Sequence, residues 1–161
     1  MKALILAAGF GTRLKPLTNE LPKPLFPILN LPILEHTLHF LSSQGIKEIA
    51  INLHHRPEKI IAYFGDGKGF GVNLHYSKEE EILGTAGGIK KLQSYFQDET
   101  FLVINSDVFT DINLNDALNF HKKKKSKLTL VVRQDANIEK YKSIQRVEEG
   151  RIVHFLGKGI K

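Results

Sequence analysis

The chain has 161 residues, 42% of them hydrophobic and 25% charged, with a formal net charge of +6 and no cysteine. That balance reads as one soluble globular domain with a real core, and it excludes disulfides, zinc–thiolate sites and thiol catalysis. No apolar run approaches the roughly 20 residues that span a bilayer. No small-residue cleavage site follows the first apolar segment either, so the expectation is a cytoplasmic protein with no membrane partner.

In chain order, Lys2 to Ala8 (KALILAA) reads as a fully buried strand. Pro32 opens a helical stretch that Gly45 stops. Lys47 to His55 (KEIAINLHH) reads as a second strand, and a short helix starts at Pro57. Val72 to Ser77 reads as a strand, Ala86 to Phe96 as one helix, and Thr100 to Asp107 (TFLVINSD) as another buried strand. A helix follows from Leu114, with Asn113 as its N-cap. Lys127 to Arg133 (KLTLVVR) reads as a strand. Ser143 to Gly157 reads as two strands joined by a tight turn at Glu149-Gly150.

Strands alternate with helices, and the early strands are apolar throughout. This predicts an α/β fold, a Rossmann-like and mostly parallel sheet with helices on both faces. In such sheets ligands bind outside the carboxyl ends of the strands. The glycines after the first strand, the NLHH segment and Asp107 all fall at such ends. The lysine run Lys122 to Lys125 reads first as a solvated helix end. No aromatic residue interleaves with it, so no stacking platform for nucleic acid is expected.

The stretch LILAAGFGTRLKPLTNELPKPLFP, Leu4 to Pro27, carries the chemistry. Gly9 and Gly11 have no Cβ, so an anion can approach the backbone closely. Thr12 adds a hydroxyl donor, and Arg13 a planar fork matched to phosphate oxygens. Lys23 sits between Pro22 and Pro24, which predicts an extended, stiff backbone that aims the ammonium at a fixed point. A dinucleotide fingerprint needs a third glycine where Leu14 stands, and a Walker loop is absent. The prolines at 16 and 22 prevent a long helix from following the loop directly. Leu83 to Gly88 (LGTAGG) is a second glycine cluster, readable as a helix N-terminus with open N–H groups or with Thr85 as a plain N-cap. His54 and His55 are adjacent, so on a strand they face opposite ways and cannot share a metal. Each reads as a structural histidine.

These residues resemble the signature of the sugar-1-phosphate nucleotidyltransferases, the NDP-sugar pyrophosphorylase family. The resemblance continues through INLHH, EEEILGTAGGI and LVINSDVF. It implies a glycosyltransferase-A-like fold and magnesium-dependent transfer of a nucleotidyl group from a nucleoside triphosphate to a sugar 1-phosphate. Ala8, Gly9, Gly11, Thr12, Gly84 and Thr85 would contact the nucleotide, with Glu81 to Thr85 along the base and sugar. Arg13 and Lys23 would neutralise the reacting phosphates. Asp107 would hold Mg2+, and Asn105 would touch the sugar. LGTAG is similar to mannose- and heptose-type guanylyltransferases, and INLHH also fits amino-sugar uridylyltransferases, so base and sugar stay open. The family's Gly-Asp pair is Ser106-Asp107 here, and its sugar-contacting Tyr-Gly pair is Tyr141-Lys142. Lys158 stands near the family's Glu-Lys-Pro stretch. The resemblance also implies a second, later metal-binding aspartate. Residues 1–161 are therefore read as a single nucleotidyltransferase domain lacking its C-terminal part. An open sheet edge there would invite self-association into a homo-oligomer. A non-catalytic nucleotide-binding module is the alternative reading.

Overall fold

A computed structural model of the chain describes residues 1–97, 99–133, 144–146, 150–155 and 158–159. The chain divides into two compact units, Met1–Asp116 and Ala117–Lys161.

The first unit is built on four parallel strands. They are β1 (Lys2–Leu6), β4 (Glu48–Leu53), β5 (Asn73–Lys78) and β6 (Phe101–Asn105), in the order β5-β4-β1-β6. The central strands are the apolar ones, as burial on both faces requires. Ala3, Leu4 and Ile5 of β1 and Ile49, Ala50 and Ile51 of β4 are all fully buried. Ala3, Ile5, Ile49, Ile51 and Leu53 pack with α1 (Ile33–Ser43) and α2 (Pro57–Phe64) on one face. Leu4 and Ala50 pack on the other face with Leu92 and Phe96, beside α3 (Gly84–Lys91) and within α4 (Gln93–Phe96). The expected parallel sheet with helices on both faces is present.

α1 forms because Leu34, Leu38 and Leu41 recur along one helical face, and all three are fully buried. Burying each contributes about 2 kcal/mol. Gly45, at φ 78°, ends the helix as expected. A two-residue antiparallel pair, β2 (Pro27–Ile28) with β3 (Leu31–Pro32), precedes α1. α5 (Leu114–Lys124) is capped by Asn113, whose Oδ1 accepts from the N–H groups of Asn115 at 2.9 Å and Asp116 at 3.3 Å.

In the second unit β7 (Ile144–Arg146) pairs antiparallel with β8 (Ile152–Phe155), as the expected two-strand tail requires. β9 (Lys158–Gly159) adds to β8. Gly150 lies between the first two at φ 82°.

Several expectations need correction. Lys127–Arg133 is not a strand. A strand exists only through its neighbour, and among the described residues no strand forms a ladder with this segment. Leu128, Val131 and Val132 stay more than half exposed. The segment expected as one helix starts two residues earlier, at Gly84, and breaks at Leu92 into α3 and α4. The strand expected to end at Asp107 ends at Asn105. It is half-buried rather than buried, because it lies at the edge of the four-stranded sheet. Tyr141 and Lys142 lie outside the described residues.

Candidate functional site

Because β1, β4, β5 and β6 are parallel, their carboxyl ends share one edge. An open cleft of about 690 Å³ lies there. Ala8, Gly9, Gly11, Thr12, Arg13, Lys23, Gly84, Thr85, Asn105 and Asp107 all line it. These ten residues therefore reach the same space, although the first and last are about a hundred positions apart, while Glu81 and Leu83 of the segment expected along the base and sugar do not line it.

The first wall is the loop that leaves β1. Gly11 takes a left-handed φ of 63°, and a Cβ there would come 2.7 Å from Thr18 Cγ2. The Gly11 carbonyl accepts the Leu14 N–H at 2.9 Å and the Thr18 hydroxyl at 3.2 Å. Instead of a long helix, three 3-10 turns follow: Thr12–Leu14, Leu17–Asn19 and Lys23–Leu25. This short-turn path is what Pro16 and Pro22 require. Thr12 and Arg13 remain exposed in the first of these turns.

Lys23 differs from expectation in its backbone. Pro22 is extended, at ψ 143°, but Lys23 opens a 3-10 turn closed by the Leu25 N–H on the Pro22 carbonyl at 2.9 Å. The stiffness survives by another route, since Pro22, Pro24 and Leu25 are buried beneath it. The Lys23 ammonium donates to Asp107 Oδ2. Asp107 sits in the turn just beyond β6, anchored by the Ser106 N–H on the Leu6 carbonyl at 3.1 Å. Ser106 is buried, and it lines the cleft where the family pattern has glycine.

The second wall is the start of α3. Its N-cap is Leu83, and Thr85 lies inside the first turn, so the N-cap reading of Thr85 is replaced by an exposed position on the cleft. Gly84 has φ 68° with open space around its Cβ direction.

His54 and His55 lie past the end of β4 rather than on it, so the opposite-face expectation does not hold. Both rings meet Phe10 of the glycine loop, at centroid distances of 5.0 and 6.0 Å. His54 Nδ1–H donates to the Glu79 carbonyl at 2.9 Å, and His55 Nε2–H donates to the Thr18 carbonyl at 2.8 Å. The structural reading of each histidine holds.

Two residues escaped the sequence reading. Asn52 lines the cleft and is buried, as is Glu79 behind it. The available signal was a lone amide within the otherwise apolar run IAINL.

Among the described residues no group of three or more histidine and acidic side chains is gathered for a metal. Among the described residues Asp107 is the one carboxylate that lines the cleft. No helix of the described residues is long and apolar enough to cross a membrane.

A family model described as nucleotidyl transferase matches residues 2–159. Over 98% of its length the chain is 38% identical to a UTP–glucose-1-phosphate uridylyltransferase of Synechocystis sp., spanning 44% of that protein. It is 35% identical to a mannose-1-phosphate guanylyltransferase of Mycobacterium tuberculosis, again spanning 44%. Over its whole length it is 36% identical to a D-glycero-alpha-D-manno-heptose 1-phosphate guanylyltransferase of Campylobacter jejuni, spanning 70%. The chain thus covers less than half the length of the first two relatives. The fold matches that of HddC from Yersinia pseudotuberculosis, solved with GMP-PN, with a TM-score of 0.76 at 24% identity over 99% of this chain and 70% of that one. A glycine loop and a cation–carboxylate pair at the ends of parallel strands agree with the sequence comparison: the chain belongs to the nucleotidyl transferase family.

Proposed function

We propose that this chain serves the transfer of a nucleotidyl group from a nucleoside triphosphate to a sugar 1-phosphate. The observation that carries the reading is the convergence of the glycine loop, Arg13, Lys23 and Asp107 on one cleft. An oxygen of the sugar phosphate attacks the α-phosphorus in line. The new P–O bond forms as the bond to the β-phosphate breaks, and pyrophosphate leaves. Such a reaction needs positioning and charge neutralisation more than covalent help. The Gly9–Gly11 backbone cradles the phosphates, and Arg13 and Lys23 balance the charge that grows on the equatorial oxygens. Ala8, Thr12, Gly84 and Thr85 border the nucleotide, and Asn105 borders the sugar.

A single carboxylate on an open cleft suits Mg2+, which keeps several waters and takes its other oxygens from substrate phosphates. Asp107 would hold it. When bound, the ion would supply charge neutralisation at the reacting phosphates. Lys23, which donates to Asp107, would lie beside the phosphates in the same cleft.

Calorimetry with GTP and UTP, with and without magnesium, tests the reading. Pyrophosphate release with mannose, heptose, glucose and amino-sugar 1-phosphates then sorts the acceptor. Asp107→Asn is expected to keep its fold, because a pair with side chains 31% and 35% exposed contributes under about 1 kcal/mol. It is expected to lose most magnesium-dependent nucleotide affinity. Unchanged magnesium dependence would remove Asp107 from the metal site.

A further inference from the structure

The two walls of the cleft are joined across its floor by a relay of four groups. The Ala7 N–H, at the root of the first glycine loop, donates to Asn52 Oδ1 at 2.9 Å. Asn52 Nδ2 donates to Glu79 Oε1 at 2.8 Å. Glu79 Oε2 accepts the Leu83 N–H, at the root of the second glycine segment, at 2.9 Å. Asn52 is 3% exposed and Glu79 5%. Gly88 makes room for them: a Cβ there would stand 2.7 Å from Asn52 Nδ2 and 3.0 Å from Glu79 Oε1.

The geometry points to Asn52 and Glu79 as a positioning pair that sets the spacing of the two glycine walls and thereby the affinity for nucleoside triphosphate. The inference rests on the nucleotidyl-transfer reading and deepens it. Neither residue contacts the phosphates in this role. The amide is the adaptor between two different needs. Its oxygen serves a backbone donor, its nitrogen serves a carboxylate, and a buried group left unmatched would be costly.

Directionality makes the relay testable. Asn52→Asp sets two carboxyl oxygens against each other, and Glu79→Gln leaves two donors facing each other. The double variant Asn52→Asp/Glu79→Gln reverses the middle bond and satisfies every group again. The 161-residue parent and the three variants are titrated with GTP and with UTP in magnesium, well below their melting temperatures. Amide hydrogen exchange at Ala7 and Leu83 is read on the same proteins. Each single variant is expected to lose at least tenfold in affinity for the triphosphate the parent binds, and to exchange faster at both amides. The double variant is expected to return to within about threefold. A purely structural role would lower melting temperature and leave affinity in the folded protein unchanged. Single variants that bind like the parent overturn the inference, as does a folded double variant no better than the singles. If both singles fail to fold, a folded double with parental affinity supports the relay and an unfolded double overturns it. A parent that binds neither triphosphate overturns the nucleotide reading instead, and the exchange rates still judge the relay.

Discussion

The two glycine segments that line the cleft come from different strands, yet they divide their labour in the same way. In the first, Gly9 has nothing within 4 Å of a Cβ position, while Gly11 is closed by Thr18 Cγ2 at 2.7 Å. In the second, Gly84 is open, while Gly87 meets Leu83 at 2.7 Å and Gly88 meets Asn52 at 2.7 Å. One glycine in each segment is bare toward the cleft. Others are bare because the protein itself fills the space. The first kind leaves room for a ligand and the second serves the fold around it, and composition alone does not separate them.

Alanine substitution breaks the two kinds differently, and the largest effect belongs to Gly11. Gly11→Ala meets a left-handed backbone, which costs about 1–2 kcal/mol, and a clash with a fully buried threonine of about the same size. A loss of roughly 3 kcal/mol should show as a lower urea midpoint. A parental midpoint would mean that Thr18 yields freely and the loop is soft. Gly88→Ala acts on the fold and on binding together. The overpacking against Asn52 and Glu79 costs about 1–3 kcal/mol, offset in part by the roughly 1 kcal/mol by which alanine favours a helix. The expected net loss is about 1 kcal/mol, accompanied by weaker triphosphate binding, because the shifted pair joins both walls. Stability lost with no change in binding would separate Gly88 from the site.

The same contrast marks what could be read from the sequence. β1 and β4 were legible because strands buried on both faces carry continuous apolar runs. α1 was legible because its leucines recur at the helical period. The convergence of Arg13, Lys23 and Asp107 followed from one rule, that parallel strands end on a common edge, together with the family resemblance. Lys127–Arg133 looked like a strand by the same apolar criterion and is not one, since pairing is a property of two segments and the pattern describes only one. Asn52 and Glu79 stayed hidden for a related reason. Asn52 is opposite Ser77 in the β4–β5 register, so Glu79 lies just beyond its partner, and nothing local announces that the two meet. The alternation argument for the histidine pair did not apply because β4 stops at Leu53, two residues short of His55, while the structural reading of both rings stood.

Gly84→Ala sharpens the comparison with an intermediate effect. The φ of 68° disfavours any Cβ by about 1–2 kcal/mol, but no atom stands in its way. Its cost should therefore be about half that of Gly11→Ala in the same urea titration. Equal costs would show that backbone conformation, not contact with Thr18, dominates at Gly11.

Gly9→Ala is the smallest change for the fold and the most informative for the cleft. Its φ is not in the left-handed region, its Cβ would enter open space, and the residue is exposed. Replacing glycine where the backbone suits alanine reduces the freedom of the unfolded chain and stabilises by about 0.4–1 kcal/mol. The folded protein should thus be no less stable than the parent, and slightly more so. Binding should move the opposite way. If triphosphate oxygens lie on the bare backbone of this loop, a methyl group stands between them and the N–H donors, and affinity should fall by about tenfold, roughly the loss of one good hydrogen bond to a charged group. Melting temperature and calorimetric affinity measured on one preparation read both signs. Affinity that rises or holds with stability would show that the phosphates approach elsewhere along the cleft, and Gly9 would then be bare only because the turn leaves it so.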